Sequence, residues 1–199
     1  MPVYPVGLLL TGTEVAVVGG DAGASDKVGK LLDAAARVTV FAPELTDDAL
    51  KGWVKAGQVK HVARWLDPKE VGAFRLVLSL RFGANDYHHD ISAACRKERV
   101  LVNCFDLPAI SDFSHPAQLR RGLLQIAIFT SGASPALGRT IRESLEKAFD
   151  DAFVAWLDEL NEIRERVKKE EGEFEKRRTQ LYKAIEGFVL KVEAKLPRR

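Results

Sequence analysis

Apolar positions in the first 115 residues fall in short continuous runs separated by stretches of helical spacing. Val15-Ala16-Val17-Val18 is one such run, closed by Gly19-Gly20. A run of that length with no polar alternation predicts a strand buried on both faces. Val28, Leu31, Leu32 and Ala35 then recur at helical intervals. Val38-Thr39-Val40-Phe41 predicts a second strand, stopped by Pro43, and Leu50, Trp53 and Val54 mark one side of a helix over 47–56. Residues 58–63 alternate as a third strand, 76–80 form a fourth, Ile91, Ala94 and Cys95 mark another helix, and 100–103 form a fifth strand. Strands alternating with helices at this spacing predict an α/β fold with a parallel, doubly wound sheet.

The pattern changes near Pro116. Residues 123–131 read as one more strand, with Leu124, Ile126 and Ile128 alternating with Gln125, Ala127 and Phe129. Ser131-Gly132-Ala133-Ser134-Pro135 follows as a turn of small residues. Ser134 suits a helix N-cap and Pro135 the first helical position. Leu137, Ile141 and Leu145 continue the helix at steps of four. Farther on, Phe149, Phe153, Trp156, Leu160, Ile163 and Val167 form one helical stripe, and Phe174, Leu181, Ile185, Phe188 and Val192 a second, with Gly172 as the interruption. The division expected is a Rossmann-like domain over 1–115, a linking segment over 116–148 and a helical domain over 149–199.

Composition narrows the classes. The 199 residues carry 30 Lys+Arg and 28 Asp+Glu, a net charge of +2, so nothing demands a nucleic-acid partner. Residues 143–199 hold 14 acidic and 13 basic side chains, interleaved as on a solvated helical bundle or a dimer lid rather than a membrane-surface helix. No apolar run reaches the length of a membrane span. Met1-Pro2-Val3-Tyr4-Pro5 lacks the basic flank of a signal peptide. Two cysteines, Cys95 and Cys104, make neither a disulfide framework nor a zinc quartet, and a reducing cytoplasm is the expected home. His61, His88, His89 and His115 show no metal-binding spacing, so no metal site is expected.

Three segments could carry chemistry. Gly19-Gly20-Asp21-Ala22-Gly23-Ala24 follows a strand and opens a helix, the context of a dinucleotide fingerprint. Asp21 stands where that fingerprint has its second glycine, which lets the backbone approach a pyrophosphate. Its carboxylate lies at the positive end of a helix, where phosphates would bind. The bland alternative is a tight strand-helix turn with no nucleotide. Val102-Asn103-Cys104-Phe105-Asp106 ends a strand at the edge where open α/β sheets bind ligands. Asp106 there could serve as a general base or simply cap the turn before Pro108, and Asp112 is a second candidate in the same loop. The third segment contains His115, Arg120 and Arg121, followed by Ser131, Ser134, Arg139 and Arg142. Arginines beside a helix N-terminus suit a polycarboxylate, or else are surface charges beside an ordinary cap.

Taken in order, Pro5-Val6-Gly7-Leu8-Leu9-Leu10, Val17-Val18-Gly19-Gly20, Arg37-Val38-Thr39-Val40-Phe41-Ala42-Pro43-Glu44, Leu101-Val102-Asn103 with Asp106, and Thr130-Ser131-Gly132-Ala133-Ser134-Pro135-Ala136-Leu137 resemble the precorrin-2 dehydrogenase / sirohydrochlorin ferrochelatase family of sirohaem biosynthesis. The likeness covers residues 2–148. It implies a homodimer with a Rossmann domain, a dimerisation segment over 116–148, and a helical end. The implied activity is oxidation of precorrin-2 to sirohydrochlorin with NAD, in some relatives followed by iron insertion. The family's catalytic aspartate falls on Asp106. Its cofactor contacts fall on Ala22 and Gly23, in the turn opened by Gly19 and Gly20, with further contacts at Pro43 and Glu44. The eight carboxylates of the substrate suit His115, Arg120, Arg121, Ser131, Ser134 and Arg139.

Two segments depart from the family pattern: Asp21 with its neighbours, and Ser79-Leu80-Arg81-Phe82, where relatives commonly read Ala-Ala-Thr-Asp. A partly screened charge 4–5 Å from a pyrophosphate costs roughly 1–3 kcal/mol. A member of the same fold that binds tetrapyrroles or inserts metal without NAD is therefore the second reading. A non-catalytic interaction protein using the helical tail is the third.

Overall fold

The structure, a computed structural model, describes residues 3–196. Met1 and Pro2, which head the segment read above for a signal peptide, lie outside the described residues, as do 197–199. Contacts divide the chain into two units, one ending at His115 and the other beginning at Pro116.

The first unit is built on five parallel strands: β1 (Glu14–Val18), β2 (Arg37–Phe41), β3 (Val59–Val62), β4 (Leu76–Ser79) and β5 (Leu101–Cys104). Their order in the sheet is β3-β2-β1-β4-β5. Each of the five runs read from the sequence became a strand. Both faces of the sheet are covered, which is why the runs at β1 and β4 lack polar alternation. Val15, Val17, Val38, Val40, Leu76 and Leu78 face one core with Val28 and Leu31 of α1 (Ala22–Asp33) and Leu50 of α2 (Asp48–Lys55). Ala16, Val18, Val77 and Val102 face the other core, with Ile91 and Cys95 of α3 (Asn85–Glu98).

The β3–β4 connection is a 3-10 turn over Pro68–Ala73 rather than a full helix. Asp67 caps it: its carboxylate accepts from the Lys69 amide at 2.9 Å, and Glu70 reaches back to the Asp67 amide. Val71 of this turn is buried in the second core. The β5 strand ends in a turn at Phe105-Asp106, and a second 3-10 turn over Pro108–Ile110 follows.

In the second unit, β6 (Ala117–Arg121) and β7 (Leu124–Ile128) form an antiparallel hairpin around Gly122, whose φ is +55°. The strand expected over 123–131 is thus confined to Leu124–Ile128, and its partner β6 was not foreseen. Only Leu119 of β6 is buried, so that strand carries almost no apolar signal. Then come α4 (Pro135–Ala148), α5 (Asp151–Glu170) and α6 (Phe174–Ala184). Phe149 is the C-cap of α4, not the first residue of the α5 stripe. The second stripe also needs correction. α6 ends at Ala184, and Phe188 and Val192 lie beyond it, past Gly187 at φ +86°. Phe188 still packs on Phe153 and Trp156, with ring centroids 6.2 and 5.1 Å away, so the apolar spacing marks a contact without marking a helix. Among the described residues no helix is long and apolar enough to cross a membrane.

Candidate active site at the carboxyl edge of the parallel sheet

The carboxyl ends of β1, β2, β4 and β5 bring together the loops that hold most of the expected site residues. The strand order turns back between β1 and β4, the position at which open α/β sheets bind their ligands.

Gly19 leaves β1 with φ +147°, and its amide donates to the Phe41 carbonyl at 3.0 Å. The Gly20 carbonyl accepts from the Thr46 amide at 2.8 Å and the Asp47 amide at 3.3 Å. These bonds lash the β1–α1 turn to the loop after β2, which carries Pro43 and Glu44. A Cβ on Gly20 would overlap the Glu44 carbonyl oxygen and stand 3.0 Å from the Ala42 Cβ. The close approach therefore requires glycine at this position.

Asp21 is the N-cap of α1, and its Oδ1 accepts from the Ala24 amide at 3.0 Å. The carboxylate thus takes one of the unpaired amides of the first helical turn. The amides of Ala22 and Gly23, both exposed, have no acceptor among the described residues. Two free donors on a glycine-lined turn fit a dinucleotide pyrophosphate. Glu44, also exposed, stands beyond β2 on the same edge.

Asp106 follows β5 with φ +53°, a left-handed conformation. A non-glycine residue held there costs of order 1 kcal/mol, though less for Asp than for most. It is exposed, and the 3-10 turn that follows has no side-chain cap, so Asp106 does not serve as the cap of the turn at Pro108. Asp112, by contrast, is committed to the fold: its Oδ2 accepts from the Val102 amide at 3.0 Å. Cys95 and Cys104 are buried, and burial pushes their thiols up to about 12 and about 11, far from nucleophilic.

Sequence reasoning missed the bracing of the loop after β4. The His88 Nε2 lies 2.8 Å from the Arg81 carbonyl, which can only accept, so this nitrogen carries the hydrogen. The Nδ1 then accepts from the Ser79 hydroxyl at 2.8 Å. Both residues are buried, and burial lowers the His88 pKa from its ordinary value. The folded state therefore prefers neutral His88. The stability this gives is present above pH 6.5 and is lost as pH falls toward the lowered value. His115 has its pKa pushed down to about 4, by desolvation first and then by Lys27 and Lys30, and contributes in the same direction. Urea unfolding between pH 7.5 and 5 is expected to show falling stability. His88→Gln should reduce that slope without removing it.

His115 belongs to the first unit, where its ring meets Phe113 edge-on at 5.4 Å. Arg120, Arg121, Ser131, Ser134 and Arg139 belong to the second. Ser134 caps α4, accepting from the Leu137 amide at 3.1 Å. Ser131 has φ +52°. Arg139 is exposed and paired with Glu143 at 2.8 Å. The Arg121 Nε is buried with no hydrogen-bond partner among the described residues, a state that an anion would relieve. No spacing rule could have singled out Arg121 from Arg120.

Comparison with known proteins agrees with this architecture. Residues 6–117 match an NAD(P)-binding family model, and 121–148 match the central domain of sirohaem biosynthesis proteins. The chain is 36% identical over 148 residues to siroheme synthase of Gluconobacter oxydans, covering 72% of this chain and 31% of that protein. It is 30% identical over 199 residues to siroheme synthase of Thioalkalivibrio sulfidiphilus, covering 99% and 35%. The chain spans about a third of the length of these curated relatives. A solved structure of SirC, a precorrin-2 dehydrogenase, superposes with a TM-score of 0.74 at 25% identity, covering 93% of this chain and 90% of that one.

Proposed function

Because the chain belongs to the NAD(P)-binding family of sirohaem biosynthesis, we propose that it oxidises precorrin-2 to sirohydrochlorin with NAD as hydride acceptor. The observation that carries this reading is the arrangement at one sheet edge: free amides on a glycine turn at β1, and the exposed Asp106 at β5. The similarity to the precorrin-2 dehydrogenase SirC over nearly the whole chain supports it.

Bound NAD supplies the two-electron acceptor. The amides of Ala22 and Gly23 would hold its pyrophosphate at the turn that Gly19 and Gly20 open, and Pro43 and Glu44 would supply further contacts from the loop after β2. The substrate loses one hydride and one proton, and the Asp106 carboxylate takes the proton. In the second unit, Arg120, Arg121 and Arg139 and the hydroxyls of Ser131 and Ser134 suit the substrate's carboxylates, and in the first unit His115 does. The protein acts as a homodimer in the cytoplasm. The exposed Leu137 and Ile141 on α4 and Leu123 at the hairpin form the apolar surface that a second copy covers.

The second reading, a tetrapyrrole protein without NAD, is favoured by one observation: the Asp21 carboxylate already occupies the Ala24 amide. NAD titration of the purified protein, followed by precorrin-2 turnover read as NADH absorbance, tests both. Turnover that depends on Asp106 supports the dehydrogenase. No binding at millimolar NAD, with tetrapyrrole still bound, supports the second reading.

The capping carboxylate also gives a quantitative expectation. Asp21→Gly removes a negative charge beside the pyrophosphate and frees the Ala24 amide. NAD affinity is expected to rise on the order of ten- to a hundredfold. Replacing the cap by Gly costs α1 only a few tenths of a kcal/mol. Isothermal titration reads the first effect and thermal unfolding the second.

A further inference from the structure

Two exposed phenyl rings stand at the same sheet edge, in contact with each other. Phe82 is 82% exposed and Phe105 46%, and their ring centroids are 6.0 Å apart at 63°. Phe82 lies in the loop after β4, and Phe105 immediately precedes Asp106 after β5. An exposed large aromatic keeps unfavourable contact with water unless something covers it.

The loops bearing these rings are held firmly on both sides. Leu80, before Phe82, is buried, and its amide donates to the Val18 carbonyl at 2.8 Å. The Arg81 carbonyl is held by His88, and the Arg81 guanidinium stacks over Trp65 and Tyr87 at 4.7 and 5.5 Å. With the Leu80 side chain buried and the Arg81 guanidinium laid over two rings, the Phe82 ring projects into solvent. On the other strand, the Phe105 amide donates to the Ser79 carbonyl at 2.9 Å. Ser79 is also the residue that hydrogen-bonds His88. One buried Ser79–His88 pair therefore braces both loops and fixes the spacing of the two rings.

We propose that Phe82 and Phe105 form an aromatic platform that binds the ring system of the tetrapyrrole substrate beside Asp106. This assignment rests on the dehydrogenase reading above. Two rings in tandem present more apolar surface than one six-membered ring can cover, which favours a multi-ring macrocycle over the nicotinamide. Neither phenyl offers the hydrogen bond that a carboxamide needs. The peripheral carboxylates of the substrate extend past the platform and are left to cationic groups. Proton acceptance at Asp106 then follows from where the platform seats the macrocycle.

The test measures sirohydrochlorin binding by its absorbance change, precorrin-2 KM and kcat, and NAD affinity, in the intact protein and in Phe82→Ala, Phe105→Ala and Phe82→Tyr. Truncating a ring this exposed leaves no cavity, so the Phe82 variants are expected to fold as the parent does. Each alanine variant is expected to weaken sirohydrochlorin binding and raise precorrin-2 KM roughly five- to twentyfold, with NAD affinity within about twofold. Phe82→Tyr should retain binding. If NAD affinity falls and tetrapyrrole binding does not, the nicotinamide occupies the platform and the proposal is wrong. If the parent binds and oxidises precorrin-2 and the alanine variants match it, only the platform fails. If the parent binds no tetrapyrrole, the platform and the dehydrogenase reading fail together.

Discussion

Asp106→Asn is expected to lower kcat for precorrin-2 oxidation by roughly two to four orders of magnitude, the range for loss of a positioned general base. NAD affinity should stay within about a factor of two. Asn is the informative substitution because it keeps the size of the side chain and accepts a left-handed backbone. Asp106→Ala would add the strain of a φ of +53° to the loss of the carboxylate. Single-turnover measurement with saturating NAD isolates the step. A kcat within fivefold of the parent would remove Asp106 from the chemistry and leave it a turn residue.

Gly20→Ala is expected to be the most damaging single methyl group in the first unit. The new Cβ overlaps the Glu44 carbonyl, which is backbone and cannot rotate aside. The Gly20 carbonyl also anchors the amides of Thr46 and Asp47, so yielding there breaks the link between the β1–α1 turn and the loop after β2. Overpacking of this kind costs roughly 1–3 kcal/mol, a fall of several degrees or more in Tm for a domain of this size. NAD binding should be lost in a protein that remains folded at low temperature. Gly23→Ala is the comparison: its Cβ meets only the Asp21 Oδ1, at 3.2 Å. If the two variants behave alike, the cradle is more plastic than its hydrogen bonds imply.

The sheet was readable because Val15–Val18, Val38–Phe41 and Leu76–Ser79 are buried on both faces, and burial on both faces leaves an unbroken apolar run. The β6 strand was not readable, because Ala117-Gln118-Leu119-Arg120-Arg121 buries one side chain. The last stripe misled for the opposite reason. Its spacing of apolar residues continues past Gly187, while the backbone does not. At the candidate site, the glycine turn and Asp106 carry local signals. The bond between Ser79 and His88, nine residues apart, does not, because a strand and a helix must first be packed before the two side chains meet.

The sheet order also sets the sequence of events in which the protein can form. β1, β2 and β3 are neighbours in both chain and space, so that half can pair as soon as its residues exist. The partner of β1 on its other side is β4, and Val15 pairs with Leu76. Closing a loop of that length costs roughly 3–4 kcal/mol of chain entropy before any contact repays it. A chain emerging from the ribosome therefore holds β1 with one edge unpaired until β4 arrives. During that interval the Val15-Ala16-Val17-Val18 edge is the segment most exposed to wrong pairing. Slow synthesis between residues 62 and 76 would lengthen that exposure, and rapid synthesis there would shorten it.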